Sequence, residues 1–253
     1  MGGGELQMSK LPIPSRDSNA ITVLCAGAMG TIMAELSSQF EKKSGKAVSL
    51  ELDRSGVVRD RVQRGEAADV VITTRSAIDE LAGRGRVIGE TVRDVGRSTI
   101  GIAIRRGQKK PDLSSSEDLK QVLLNAQSIA CADPATGSPS GIHFIKLIDQ
   151  LGIAAVVAPR LKLVGAGVGS VVIVCEAVAR GEADIGIQQI AEILPIPEVE
   201  LAGPLPDELQ QVTVFSIALG SHARDSESAL GFIKYVTSSD AASVIVSNGM
   251  VPA

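Results

Sequence analysis

Arg54, Ser55 and Gly56 close one apolar segment and open an amphipathic one, and the same passage from strand through small turn to helix start recurs at three other places. These are Cys25-Ala26-Gly27-Ala28-Met29, Ser138-Pro139-Ser140-Gly141, and the run from Gly165 through Ser170 to Val171. The first turn of a helix leaves backbone N–H groups without intrahelical partners, at the end where the macrodipole places partial positive charge. Four such starts facing one another make a pocket for a small anion, and that is the chemistry expected here.

The elements that must carry these starts follow a repeating pattern. Ile21–Cys25 reads as a strand, and Thr31–Lys43 as a helix with Ile32, Leu36 and Phe40 on one face and Gly45 beyond its end. Ala47–Leu52 is the next strand, Val57–Arg64 the next helix, and Asp69–Thr73 a buried strand feeding Thr74-Arg75-Ser76 and a short helix through Leu81. A second series begins with the strand Ile100–Ile104, followed by a helix capped at Ser115 or Ser116 and the strand Ser128–Cys131. Ser138 at the N-cap with Pro139 at the first helical position starts the helix Ile142–Leu151. Val171–Arg180 is a helix, Ile185–Gln188 and Val212–Leu219 are strands, and helices start at Ser226 and Ser239.

This alternation predicts an α/β fold of two lobes, each a mostly parallel sheet flanked by helices, with the second lobe inserted into the first. The expected division is residues 1–20 as a leader or tag, 21–98 as the first part of lobe 1, 99–209 as lobe 2, and 210–253 as the return of lobe 1.

Composition narrows the ligand. Aromatic residues make up 2% of the 253 residues and Trp is absent, which leaves little for stacking bases or sugars. A net charge of −4 without a basic stripe argues against nucleic acid and anionic membranes. Cys25, Cys131 and Cys175 lack metal-type spacing, and two His cannot complete a His-rich site, so neither a structural metal nor a disulfide framework is expected. No phosphate-binding Gly motif or other cofactor signature occurs. No apolar run is long enough to span a bilayer. The first 20 residues lack the apolar stretch of a secretory signal, so the expected location is cytoplasmic if that N-terminus is native and periplasmic or extracellular if a signal was removed. With the apolar helix faces accounted for by the lobes, a monomer is the default.

The five segments Cys25–Met29, Arg54-Ser55-Gly56, Ala67–Ile72, Ala132-Asp133-Pro134 through Ser140-Gly141-Ile142, and Gly181–Ile187 resemble, in order and spacing, the molybdate-binding branch of the type II periplasmic binding proteins. The closing Gly249-Met250-Val251-Pro252 is similar as well. The resemblance implies a ligand cleft between the lobes, with contacts at Ala28/Met29, Ser55/Gly56, Ser140/Gly141 and Ser170/Val171, and a further contact at Gln189 beside Gln188. It also implies delivery of the ligand to an ABC-transporter permease if the protein is exported. Two positions depart from the family pattern, Ala28 for a serine and Gln189 for a tyrosine, and Arg54 and Arg75 are added. A guanidinium matches a planar carboxylate with two parallel hydrogen bonds, whereas a tetrahedral oxyanion needs only neutral donors. The expected ligand is therefore an organic di- or tricarboxylate; the competing reading makes Arg54 and Arg75 surface partners of Asp53 and Asp79.

Aconitate isomerases resemble the same family and shift a double bond in an unsaturated tricarboxylate by 1,3-proton transfer, which requires a base. His143, on a helix face with Lys146 and Gln150, and the strand-end thiols Cys25 and Cys131 are the candidates. Against these roles, a polar-face His is ordinarily solvated and a small buried Cys ordinarily packs. Gln188 and Gln189 offer both donors and acceptors to a carboxylate ligand, or serve only as a turn.

Overall fold

A computed structural model describes residues 19–165 and 173–253. Lobe 1 is built from β1 (Ile21–Ala26), α1 (Gly30–Ser44), β2 (Val48–Asp53), α2 (Ser55–Gln63), β3 (Val70–Thr74), α3 (Arg75–Gly83) and β4 (Arg93–Ser98). The chain then passes into lobe 2 with β5 (Ile100–Arg105), α4 (Ser116–Asn125), β6 (Ile129–Ala132), α5 (Pro139–Gln150), α6 (Ala154–Val157), β7 (Leu161–Val164), α7 (Ile173–Ala179), β8 (Ile185–Gln189), α8 (Ile190–Ile193) and β9 (Val199–Pro204). It returns to lobe 1 through β10 (Thr213–Leu219), α9 (Ser226–Val236), α10 (Ser239–Ser247) and β11 (Val251–Pro252).

The sheet of lobe 1 has the strand order β11-β4-β10-β3-β1-β2, and that of lobe 2 β7-β6-β8-β5-β9. Strands joined by helical crossovers pair in parallel, namely β1 with β2 and β3, and β6 with β7 and β8. Both β5 and β10, which carry the chain into one lobe and back into the other, pair antiparallel with their neighbours. The parallel character read from the sequence is thus confined to the βαβ halves, and each sheet is mixed. Four strands escaped the sequence reading: β4, β7, β9 and β11. Three of them are sheet edges, where one face of the backbone needs no continuous apolar run, and β4 (Arg-Asp-Val-Gly-Arg-Ser) lies next to an edge.

Each sheet is covered on both faces. In lobe 1, Ile32, Leu36 and Phe40 of α1 pack with Phe232 and Ile233 of α9 on one side, while Val58, Ile78 and Leu81 of α2 and α3 pack on the other. Lobe 2 buries Leu119, Phe144 and Leu147 on one face and Val174, Val178 and Ile193 on the other. Rigid cores on either side leave the strand ends and the helix starts above them as the surfaces that meet.

One buried polar group ties lobe 1 together. The Asp69 carboxylate, 2% exposed, accepts from Thr22 N and Oγ1 at 2.8 Å, from Arg224 N at 2.7 Å and from Arg224 Nη2 at 3.1 Å. Burial alone would push its pKa up, but the donors from Thr22 and Arg224 outweigh that and hold it below the usual carboxylate range. The sign follows: a depressed folded pKa gives stability that is present above the unfolded value and lost as pH falls through the folded one. Asp69→Ala is expected to cost about 2–3 kcal/mol in urea denaturation at neutral pH. The gap from the parent should narrow as the pH drops below about 4.

Candidate functional site

Three helix starts meet at one cavity between the lobes. Gly27 and Ala28 belong to the short 3-10 turn that leads into α1, Arg54 and Ser55 to the start of α2, and Ser138 and Pro139 to the start of α5. The sequence makes each start locally: Ala26, the last residue of β1, and Arg54, the residue after β2, are both extended, and Pro139 takes the first helical position with its φ already suited. None of the three has a side-chain cap, whereas α3, α4 and α9 are capped by Thr74, Ser115 and Asp225. Backbone donors at the cavity are therefore left to a ligand instead of to the protein's own side chains.

The elements behind these starts are braced. Thr73 Oγ1 donates to Ser55 O at 3.1 Å, and Arg61 pins α2 to Glu51 at 2.5 Å and Glu66 at 2.6 Å. In lobe 2, Ser140 Oγ donates to Gln188 Oε1 at 2.7 Å and lies 3.2 Å from Ser138 Oγ, so α5 and β8 are tied side by side. Gln189 Nε2 bonds Thr213 Oγ1 at 3.1 Å. Its Oε1 is buried with no hydrogen-bond partner among the described residues. The Thr213 hydroxyl can serve either end of the amide, so Gln189 turns an unmatched acceptor or unmatched N–H donors toward a ligand. An orphan of this kind in a residue 1% exposed is costly unless something fills the cavity.

The expected contacts are distributed unevenly. Ala28, Arg54, Ser55, Gln188 and Gln189 line the cavity. Met29 is fully buried in the core of lobe 1. Ser140 has no exposed surface and stands behind Ser138, and a Cβ on Gly141 would lie 2.1 Å from Ala132 O, so Gly141 serves close packing of α5 on the end of β6. Ser138 and Pro139 take the wall position two residues earlier. Ser170 and Val171 lie outside the described residues.

Gly56 sits where the lobes touch. A Cβ there would come 2.4 Å from Thr136 O and 2.7 Å from Gly137 Cα, across the boundary between lobe 1 and lobe 2. Beyond this contact lies an open groove of about 440 Å³ that shares Ser55 and Pro139 with the cavity and carries Arg59 and Arg75. Arg75 is bound to Asp79 at 2.8 Å and to Asp94 at 3.1 Å, which puts its guanidinium in an exposed ion cluster and outside the inner cavity.

None of the three groups expected to act as a base stands on the cavity wall. His143 Nε2 is 2.7 Å from Leu209 O, which fixes the ring against the chain after β9. Burial pushes the Cys25 thiol far up, and burial together with the Asp133 charge pushes Cys131 up to about 12, so both thiols are neutral and unreactive at physiological pH. The residue that sequence reasoning missed is Glu192. It lines the cavity from α8, and burial raises its carboxyl to about 8 against the opposing pull of Arg54. An acidic residue in the otherwise apolar Ile190-Ala191-Glu192-Ile193, three positions after Gln189, was the available signal.

Among the described residues, no group of three or more His, Cys, Asp or Glu could hold a metal ion, and no single helix is long and apolar enough to cross a membrane. What the cavity offers is uncapped N–H groups, one guanidinium, paired amides and a carboxyl that is largely neutral at pH 7.

Comparison with known proteins agrees with this architecture. The model of the family described as bacterial extracellular solute-binding protein matches residues 21–251. An aconitate isomerase from Pseudomonas sp is 33% identical over 98% of this chain and 94% of its own. The molybdate-binding protein ModA of Escherichia coli is 22% identical over 90% of this chain and 87% of its own. The periplasmic molybdate-binding protein of Azotobacter vinelandii superposes with a TM-score of 0.76 at 19% identity, covering 91% of this chain and 98% of that one.

Proposed function

The chain belongs to the bacterial extracellular solute-binding protein family, and from that premise we propose that its lobes close on a small organic polycarboxylate of the aconitate class. The observation that carries this reading is the convergence of three uncapped helix starts, Arg54 and the orphaned Gln189 amide on one cavity. A cavity of about 30 Å³ seats one oxyanion group; a single water already needs about 10–15 Å³ on this scale. One carboxylate fits at the helix starts, and the remainder of a larger ligand extends past Ser55 and Pro139 into the groove of Arg59 and Arg75. Arg54 and the departure from a serine at Ala28 favour a carboxylate over a tetrahedral oxyanion held by neutral donors. In this reading the protein works outside the cytoplasm and passes its ligand to an ABC-transporter permease.

A second reading, that the protein also interconverts its ligand as an isomerase, is favoured by the full-length similarity to an aconitate isomerase and by Glu192 in the cavity wall.

Thermal shift against cis-aconitate, trans-aconitate, citrate, molybdate and tungstate tests the ligand class, because a ligand that binds only the folded state raises the midpoint with its occupancy. Stabilisation by tricarboxylates is expected; a response to molybdate alone overturns the proposal. Arg54→Ala should then weaken tricarboxylate binding by about 1.5–3 kcal/mol, the range of a hydrogen bond to a charged group. Arg75→Ala should cost under about 1 kcal/mol, because an exposed guanidinium already shared by two carboxylates has little to give. Titration calorimetry of both variants checks the order; an Arg75 effect larger than that of Arg54 places the ligand in the groove and not in the cavity.

A further inference from the structure

We infer that Glu192 is the acid/base of the cleft, taking a proton from the methylene carbon of a bound allylic carboxylate and returning it two carbons along. This inference rests on the isomerase reading above. Its geometry comes from the cavity: Glu192 lines the same small space as Arg54, Gln188 and Gln189 and the helix starts at Ala28, Ser55 and Ser138. A carboxylate held at those starts presents the carbon attached to it to the same small space. Among the described residues no other carboxyl lines that cavity, and the histidine and thiols expected to act as base do not stand on its wall.

The step balances without an external reagent. The Glu192 carboxylate accepts the methylene proton, and the C–H electron pair becomes the new C=C. The old C=C pair moves to the far carbon, where its charge is shared with the attached carboxylate, and the protonated Glu192 delivers the proton there. No electrons are gained or lost, and Glu192 ends as it began. While charge is delocalised onto the carboxylates, Arg54 and the uncapped N–H groups stabilise it.

The surroundings of Glu192 suit both halves of the cycle. Arg54 is the charge that acts on it, and burial opposes ionisation. On α7, the Cys175 thiol donates to Glu192 O at 3.6 Å and is pushed up to about 12, so it stays neutral. Glu200 on β9 is turned away to Gly107 N at 3.1 Å. The 3-10 turn Gly27–Met29 carries no titratable group, and the backbone face of β8 contributes only Gln188 and Gln189. A carboxyl near pH 8 is a stronger base than an ordinary one and is still readily reprotonated.

The experiment follows cis- and trans-aconitate by proton NMR in D2O with the whole protein, alongside thermal shift with the same two compounds. Expected for the parent is stabilisation by the tricarboxylates, interconversion, and deuterium entering the exchanging carbon, with a rate that climbs as pH rises through about 8. Glu192→Gln should lose roughly 10²–10⁴-fold in rate while the ligand-induced thermal shift persists. Glu192→Asp, which keeps the carboxyl but withdraws it, should retain a measurable rate with the same pH-dependent form. No stabilisation of the parent by any tricarboxylate removes the functional reading itself. Stabilisation without interconversion or exchange overturns the isomerase reading, and the role of Glu192 with it, while leaving the binding reading; interconversion in the parent with full exchange in Glu192→Gln overturns the role of Glu192 alone.

Discussion

Gly56→Ala is expected to weaken ligand binding by roughly 100-fold while leaving the fold as stable as before or slightly more so. Gly56 is the second residue of α2 with ordinary helical geometry, so an alanine is locally favourable by about 0.5–1 kcal/mol. What the added methyl cannot do is coexist with lobe 2, since its Cβ would lie 2.4 Å from Thr136 O and 2.7 Å from Gly137 Cα, and both obstacles are backbone. The lobes relieve the clash by parting. If the ligand is held only when α2 and α5 both reach it, apparent affinity falls by the fraction of molecules still able to close, and about 3 kcal/mol against closure is enough for a hundredfold loss. Calorimetry measures the affinity, and small-angle scattering the missing contraction on adding tricarboxylate. Unchanged affinity means that closure does not bring Gly56 to Gly137 in the bound state.

Much of this arrangement was legible in the residues, and the reasons for the gaps are physical. Helix starts announce themselves by local chemistry, so Ser138-Pro139 and Arg54-Ser55 could be placed without knowing what faced them. Which residue of a start faces the ligand is decided by neighbours distant in sequence: Gln188 draws Ser140 inward and leaves Ser138 on the wall. Arg75 was read with Asp79 as one option, but its second partner, Asp94, comes from β4, a charged strand with no apolar run to reveal it. Glu192 was hidden for the opposite reason. An acidic residue among isoleucines reads as the polar face of a buried helix until β8 and α8 bring it to the cavity that the start of α2 also lines. The proton-carrying group of a cleft is thus harder to see than its anion-binding groups, because burial creates its chemistry and burial is a property of the whole fold.

Gly141→Ala adds the same methyl in a place with no escape. Its Cβ would lie 2.1 Å from Ala132 O and 2.9 Å from Ala132 C, and both partners belong to lobe 2. No parting of the lobes relieves that clash; α5 has to move off the end of β6, opening the core beneath Phe144 and Leu147. Overpacking of this kind costs about 1–3 kcal/mol. At about 2–4 °C per kcal/mol for a chain of this size, the thermal midpoint should fall by roughly 2–12 °C. Binding should weaken too, since Ser138 and Pro139 ride on the displaced start. The two glycines therefore separate effects that are usually confounded: at Gly56 affinity falls and stability holds, and at Gly141 both fall together. A Gly56→Ala protein that melts as early as Gly141→Ala would show that the Gly56–Gly137 contact holds the folded protein together, and the account of it as a surface that opens and closes would have to be abandoned.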